Sequence, residues 1–534
     1  MKSNFRSRNC KVLLVVILSV FTTSKTFAQL IYQPYSYQFY QKLNTSFYNT
    51  QTSLHTALKP ALITDSSSVR PAFDSLMNIG ADQRHHNWIH QIIFNTHLVD
   101  IKNKDYTFYL DFLPDFQVGR EFNDKKTTYL NTRGYQVAGT IGSKFLFYTS
   151  GYENQGTFAN YQYSYIRNTG MVPGQAYNRR LSTADWSLVT ALIAYQPSKA
   201  ITVELGEDKT FIGDGYRSVL LSDYAAAYPM LRLRANLGKH VQYMAMWAYM
   251  QDQRSAQFNS FFNNRRKWGV FHHVDWNITN RASIGFFNAL IAAEANDQGQ
   301  LHGFDLNYIN PLFFASSLGP SNRIPDHTLF GFNGKYKIFN QSIIYGQLLY
   351  DQAPDALNST TRKAWQLGFR GSNLFKIQRL NYLMEFNTAA PYTYTNQYPI
   401  VNYAQLNEPL AHPYGANFRE WVGMLNYSIH KFDFQGQFIH AQYGLDLNGI
   451  NYGKTIWLSD HTSPSIPGNT TGQGLNTNMN YAELTTSYLL NPKYNLRIEA
   501  GGLLRDEKNN LSNTKTALIT FGLRSSFRNL YHDF

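Results

Sequence analysis

Apolar and polar residues alternate with a period of two along most of this chain. Tyr106, Phe108, Leu110 and Phe112 alternate with Thr107, Tyr109 and Asp111, and Leu231, Leu233, Ala235 and Leu237 alternate with Arg232, Arg234 and Asn236. A strand sends successive side chains to opposite faces, whereas a helix repeats near 3.6, so this pattern predicts strands. The arginines say what lies on the second face. At a bilayer midplane each would cost about 2–4 kcal/mol, so they must point into a wet interior. Trp268, Val270, Val274 and Trp276 share a face, as do Leu380, Tyr382, Met384 and Phe386, then Trp421, Leu425, Tyr427 and Ile429, and then Phe432, Phe434 and Phe438. Leu496, Ile498, Ala500 and Leu504 oppose Arg497, Glu499 and Arg505, and a last strand is expected over Thr516–Phe527. These segments predict an all-β fold, a transmembrane antiparallel β-barrel of roughly 14–18 strands.

Polar stretches separate the segments at Glu153–Asp185, Gln251–Lys267, Ala293–His327, Asp351–Lys363, Thr388–Arg419 and Gly444–Asn480. Outer-membrane barrels have short periplasmic turns and longer outside loops, which makes these the expected extracellular loops. Residues 29–86 lack clear alternation and are expected to form a small periplasmic or plug segment ahead of a barrel over residues 87–534. The first residues predict export. Lys2, Arg6, Arg8 and Lys11 precede the apolar run Val12–Phe21, and Thr26-Phe27-Ala28 supplies a small-residue cleavage site, so residues 1–28 are expected to be a signal peptide. Cys10, the sole cysteine, would leave with that leader, excluding disulfides and cysteine–zinc sites.

Composition sharpens the barrel reading. Aromatic residues make up 16% of the 534, with 38 tyrosines, and charged residues only 16%, against about 25% in an ordinary soluble protein. Mean hydropathy is −0.38, and no apolar run after the leader reaches the ~18 residues of a helical span. Losing five leader cations and no acids takes the formal charge from +13 to +8. That diffuse excess suits anionic glycans or lipopolysaccharide and does not argue for nucleic acid. Phe534 ends the chain, as a terminal aromatic ends many assembled outer-membrane barrels.

Catalytic motifs are missing from the pattern. No Gly-x-Ser-x-Gly elbow, Walker loop or EF-hand loop occurs. His85, His86 and His90 could offer two ligands four apart on a helix, but no third ligand accompanies them, so no metal site is expected. His272-His273-Val274-Asp275 lies in an alternating strand whose members point apart. No catalytic residue and no cofactor is expected, and the chain reads as non-enzymatic.

The best-defined local feature is the stretch from Gly206 to Ala225. Gly213 and Gly215 permit bends that residues with a Cβ avoid, and Arg217 and Asp223 place opposite charges in one loop. Structurally it is a loop packed into the lumen; functionally it could be a polar floor for a glycan. Here a resemblance becomes specific. Gly213-Asp214-Gly215, Ser218-Val219-Leu220-Leu221-Ser222, Asp223, Ala225 and Pro229 resemble a pattern of the Wzi family of capsule-assembly barrels. The chain departs from that pattern at Asp214, where the family has proline, and at Asp223, where it has asparagine. Asn131–Tyr135, Phe147–Gln155, Val172–Gln175, Phe211–Ser218 and His55–Pro60 together resemble the RemB-type gliding-motility proteins, and Tyr308-Ile309-Asn310-Pro311 is shared with both groups. The resemblance runs from about His55 to the end. It implies a cell-surface barrel tied to surface polysaccharide or motility.

The expected function is binding or organising surface polysaccharide, with a channel for small solutes as the alternative. Candidate glycan contacts are Arg217, Asp223, Arg232, Arg234, Tyr392 and Tyr394, with Gly213, Asp214, Gly215 and Ser222 as the loop motif. Arg232, Arg234, Arg497 and Arg505 would give the lumen a positive lining. The tyrosines of the 388–419 loop suit sugar faces, or belong to an outer aromatic girdle. Expected partners are outer-membrane lipid and lipopolysaccharide, surface polysaccharide, the barrel-assembly machinery, and motility or secretion proteins.

Overall fold

The computed structural model describes residues 30–534 apart from 66, 83, 85–86, 181–182, 254–264, 296–300, 302–303, 311–325, 353–361 and 461–468. The expected leader, and His85 and His86, lie outside the described residues. Eighteen long antiparallel strands close into one barrel. They are β1 (Tyr106–Glu121), β2 (Lys126–Ile141), β3 (Phe145–Thr157), β4 (Ala184–Ser198), β5 (Ile201–Asp208), β6 (Tyr228–Leu237), β7 (Val241–Asp252), β8 (Arg265–Asn277) and β9 (Ala282–Ala293). The second half comprises β10 (Asp326–Phe339), β11 (Ser342–Gln352), β12 (Lys363–Gly371), β13 (Leu380–Ala389), β14 (Phe418–Ile429), β15 (Phe432–Leu445), β16 (Leu475–Asn491), β17 (Leu496–Lys508) and β18 (Asn513–Ser525).

The seam is staggered. Leu518 to Leu523 of β18 pair with Glu121 to Phe116 of β1. The other half of β1 would be left as an open edge, and the short strand Val99–Lys102 pairs with Thr107–Leu110 there. No long row of unpaired backbone groups is then presented to lipid.

The alternation holds through the wall. Asp111, Arg232 and Arg234 are buried inward, while Phe112, Leu231, Met384, Leu425, Phe438 and Phe521 lie exposed on the outer face. All turns at one end are short, such as Gly142–Lys144 and Lys199–Ala200, and the long connections gather at the other. By the usual rule for such barrels, the short-turn end faces the periplasm.

Two expectations need correction. The final wall strand stops at Ser525, and Phe534 does not end it. Residues 526–534 turn inward instead, because Phe527 buries itself against Leu43, Phe73 and Met77 of the N-terminal segment and Phe534 against Tyr161 and Tyr165. The wall also does not begin at residue 87: Trp88–Phe94 is a short helix before it.

The N-terminal segment plugs the short-turn end. Leu58–Lys59 forms a two-residue sheet with Phe211–Ile212 of the loop between β5 and β6. Asn49 and Thr52 carbonyls accept from Lys337, and His55 Nδ1 lies 2.7 Å from Asp275. Helix α1 (Arg70–Met77) packs Phe73 and Met77 on the same cluster.

A charge on the outer face tests this assignment. Leu425→Arg, near the middle of the apolar belt, should lower the stability of folding into lipid vesicles by about 2–4 kcal/mol. Urea titration of vesicle folding measures it, and an unchanged midpoint would contradict a lipid-facing Leu425.

Candidate functional site

The chemically dense part of the molecule is the plug inside the wall. The loop joining β5 to β6, residues 209–227, leaves one side of the barrel and reaches the opposite wall, formed by β11 to β14. Its approach is close enough to need glycine. A Cβ on Gly215 would lie 2.2 Å from a Glu385 carboxylate oxygen, and one on Gly213, at φ +141°, 2.4 Å from the Gln347 amide nitrogen. The wall then receives the loop backbone. The N–H groups of Tyr216 and Arg217 donate to Glu385 at 2.9 and 3.0 Å, and that of Val219 to Gln347 at 2.8 Å. Gln366 donates to the Arg217 carbonyl at 2.8 Å and Arg370 to that of Asp214 at 2.7 Å.

Arg217 is the hub of this arrangement. Only 1% exposed, its guanidinium pairs with Glu420 at 3.1 Å and with Asp533 at 3.0 Å and lies over the Tyr216 ring. One cation thus holds the loop, the wall and the C-terminal segment together. His412, from the loop between β13 and β14, completes the Glu420 side at 2.7 Å. Burial holds the His412 imidazole below its ordinary value, with Glu420 pulling the other way.

The remaining candidates are engaged likewise. Asp214 accepts from Thr56 at 2.5 Å and Tyr48 at 3.1 Å. Burial alone would raise its carboxyl, but Lys335 and Lys59 carry it below the usual value. Ser222 donates to the Ala411 carbonyl. Asp223 accepts from Tyr531 and Asn529, each at 2.7 Å. Arg232 and Arg234 share Glu204, and Arg234 also donates to the Pro60 carbonyl at 2.9 Å.

The tyrosines expected on the surface are not there. Tyr392, Tyr394, Tyr403 and Tyr414 are all buried, because residues 390–417 fold down into the barrel mouth, where the hydroxyls of Tyr394, Tyr403 and Tyr414 cap carbonyls of the crossing loop and the tail. Tyr394 donates to the Val219 carbonyl at 2.7 Å and Tyr403 to that of Leu220 at 2.8 Å; Tyr392 donates to the Asn451 carbonyl at 2.8 Å. Tyr398 alone of this set is substantially exposed. The expected positive lumen lining is corrected too. Arg497 and Arg505 pair with Glu499 at 2.8 Å and Glu507 at 2.5 Å, so each of the four arginines is engaged by a carboxylate and none is left as a free cation of the lining.

Sequence reading missed the acceptors on the wall and the inserted tail. Alternation does place Gln347, Glu385 and Glu420 on the inward face, which was the available signal. Beside the tail the described residues leave a cavity of about 170 Å³, lined by Gln435, Gln437, Glu483, Thr485, Arg497 and Arg524 among others.

No protein-family model and no curated protein matches the chain by sequence. Among solved structures it is similar to Wzi of Escherichia coli, an outer-membrane protein involved in group 1 capsule assembly and described as a carbohydrate-binding β-barrel. The match has 10% identity and a TM-score of 0.53, covering 93% of this chain and 100% of that one. The fold is an outer-membrane β-barrel of that kind. OprD of Pseudomonas aeruginosa matches with 10% identity, a TM-score of 0.43 and coverage of 78% of this chain and 94% of that one.

Two measurements probe the plug. Arg217→Met strands Glu420 and Asp533 in the interior. Breaking a buried pair costs about 3–5 kcal/mol, so the tail should become protease-accessible while the wall keeps its heat-shifted gel mobility. Unchanged tail protection would remove Arg217 from this role. The second is pH. Glu408, on the mouth loop, accepts from the Gly174 N–H at 2.7 Å and the Ala226 N–H at 3.0 Å. Burial nevertheless raises its carboxyl from 4.5 to about 7. Its contribution to loop docking is therefore complete below pH 4.5 and is lost as the pH rises through about 7. Limited proteolysis of the mouth loop should increase across that window, and Glu408→Gln should flatten the profile.

Proposed function

We propose that this protein is a plugged, non-enzymatic outer-membrane barrel that binds or organises surface polysaccharide at its long-loop end. The observation that carries this reading is the filled lumen: the protein's own N-terminal segment, two inward loops and C-terminal tail occupy it, and charges such as Arg217 and Asp214 are paired with one another's segments and with the wall. A barrel filled this way meets the outside through the long-loop end. The resemblance of the Gly213–Ser222 stretch to the Wzi pattern, and the fold likeness to a carbohydrate-binding barrel, support the same reading. Arg217, Asp223, Arg232, Arg234, Tyr392 and Tyr394 then hold that face from below, and sugar contact falls to exposed rings such as Tyr177 and Tyr398. The RemB-like segments, including Phe147–Gln155 and Phe211–Ser218, favour gliding motility as the process served.

The cavity beside the tail favours one second reading, a narrow hydrated path for small solutes. Glycan-array binding of the purified barrel, with surface-polysaccharide staining and spreading of a deletion strain, tests the first. Glycan binding that falls in the Tyr177→Ala/Tyr398→Ala double variant is the expected result. No glycan binding, together with unchanged polysaccharide and spreading, would refute it. Steady single-channel conductance in planar bilayers would favour the second.

A further inference from the structure

On the outer wall, strands β12, β13 and β14 carry three aromatic side chains side by side. The ring centroids of Trp365 and Phe386 are 4.9 Å apart, and those of Phe386 and Trp421 4.8 Å apart. Trp365 and Trp421 are exposed on the outward face, at the level where amphipathic rings mark the edge of a hydrocarbon layer. Two residues further toward the long-loop end, on the same face, stand Lys363 and Arg419. Both are exposed, and neither makes an ion pair or side-chain hydrogen bond to a described residue. Thr388 of β13 pairs in register with Arg419 on one side and Trp365 on the other. The two cations therefore flank one strand with Lys363 two residues nearer the long loops, and their backbones lie about 12 Å apart, two interstrand spacings across and two rises along.

The carboxylates of these strands do not answer them. Glu385 and Glu420 point into the lumen, where Arg217 and its backbone hold them. Elsewhere along this rim basic side chains sit beside acids: Arg179 pairs with Glu153, and Lys515 faces Asp506 at 3.9 Å. At β12–β14 the positive pair stands over an apolar floor of Leu367, Met384, Leu425 and Phe438, all exposed.

We propose that this face is a binding site for a phosphorylated glycolipid of the outer leaflet. Its phosphates pair with Lys363 and Arg419, its sugars rest on the Trp365–Phe386–Trp421 rings, and its acyl chains lie along the floor below. Charge complementarity selects this occupant over an uncharged lipid. The spacing of the cations and the aromatic ledge beneath them favour a headgroup larger than a single phosphodiester. The site lies on the lipid-facing surface and does not depend on how the long loops engage polysaccharide.

The test uses the full-length protein in mild detergent, with lipid retention read by native mass spectrometry. Bisphosphorylated lipid A, its dephosphorylated form and phosphatidylglycerol are the probes. The expected result is retention of the bisphosphorylated lipid, reduced on the order of tenfold in the Lys363→Gln/Arg419→Gln double variant and reduced again by Trp421→Ala. Competition on the unaltered protein requires no variant: dephosphorylated lipid A should fail to displace the bisphosphorylated form. Equal retention by the double variant, displacement by the dephosphorylated lipid, or retention of phosphatidylglycerol to the same extent would each overturn the proposal.

Discussion

Eighteen strands enclose more volume than their inward side chains fill; barrels of this size ordinarily keep an aqueous channel. A wall of this width therefore either stays open or takes in backbone from elsewhere in the chain. Backbone brought inside carries N–H and carbonyl groups that water no longer serves, and each needs a partner. The inward-facing side chains of β11 to β14 supply them. Gln347, Gln366, Arg370 and Glu385 bond the loop backbone directly, which is why the loop must pass so near the wall and why Gly213 and Gly215 sit where it does so. The filled lumen is thus a consequence of polar side chains placed to receive a particular piece of main chain.

Charge organises what hydrogen bonding admits. A buried cation without a counter-ion is costly, and a paired one adds little stability over an apolar replacement. The value of such pairs here lies in which segments they join. Arg217 ties the crossing loop to Glu420 of the wall and to Asp533 of the tail, while Asp223 of the same loop receives Asn529 and Tyr531. The tail cannot shift along the lumen without breaking both sets of contacts. Lys59 and Thr56 tie the N-terminal segment to Gly213 and Asp214 in the same way. Three stretches far apart in sequence, the wall at Glu420, the tail and the N-terminal segment, meet on one loop of fewer than twenty residues.

That loop was visible in the sequence as two glycines with opposite charges nearby, and the wall was visible as alternation. Leucines opposite Arg232 and Arg234 were enough to assign inside from outside, since only the lumen tolerates the guanidinium. What alternation cannot express is what occupies the inside. Tyr394 and Tyr403 read equally well as rings for a sugar or for a membrane girdle; the plug role they fill needs the same apolar body with a donor tip, and only the third dimension supplies the Val219 and Leu220 carbonyls they cap. Phe527 misled in a subtler way. It keeps the outward parity of Ile519 and Phe521 for two residues beyond Ser525, after the chain has already turned inward to meet Phe73 and Met77.

Strands β12 to β14 show how much one wall can carry when its two faces are read separately. Glu385 and Glu420 face inward, and one residue from Glu420, Arg419 faces out. The same parity that sorts leucine from arginine sorts anion from cation here, so the plug's acids do not neutralise the outer cations across the sheet. At these three strands, where the carboxylates turn to the interior, positive charge is left at the rim. The filling of the lumen and the chemistry of the outer face are for that reason two results of one arrangement of residues.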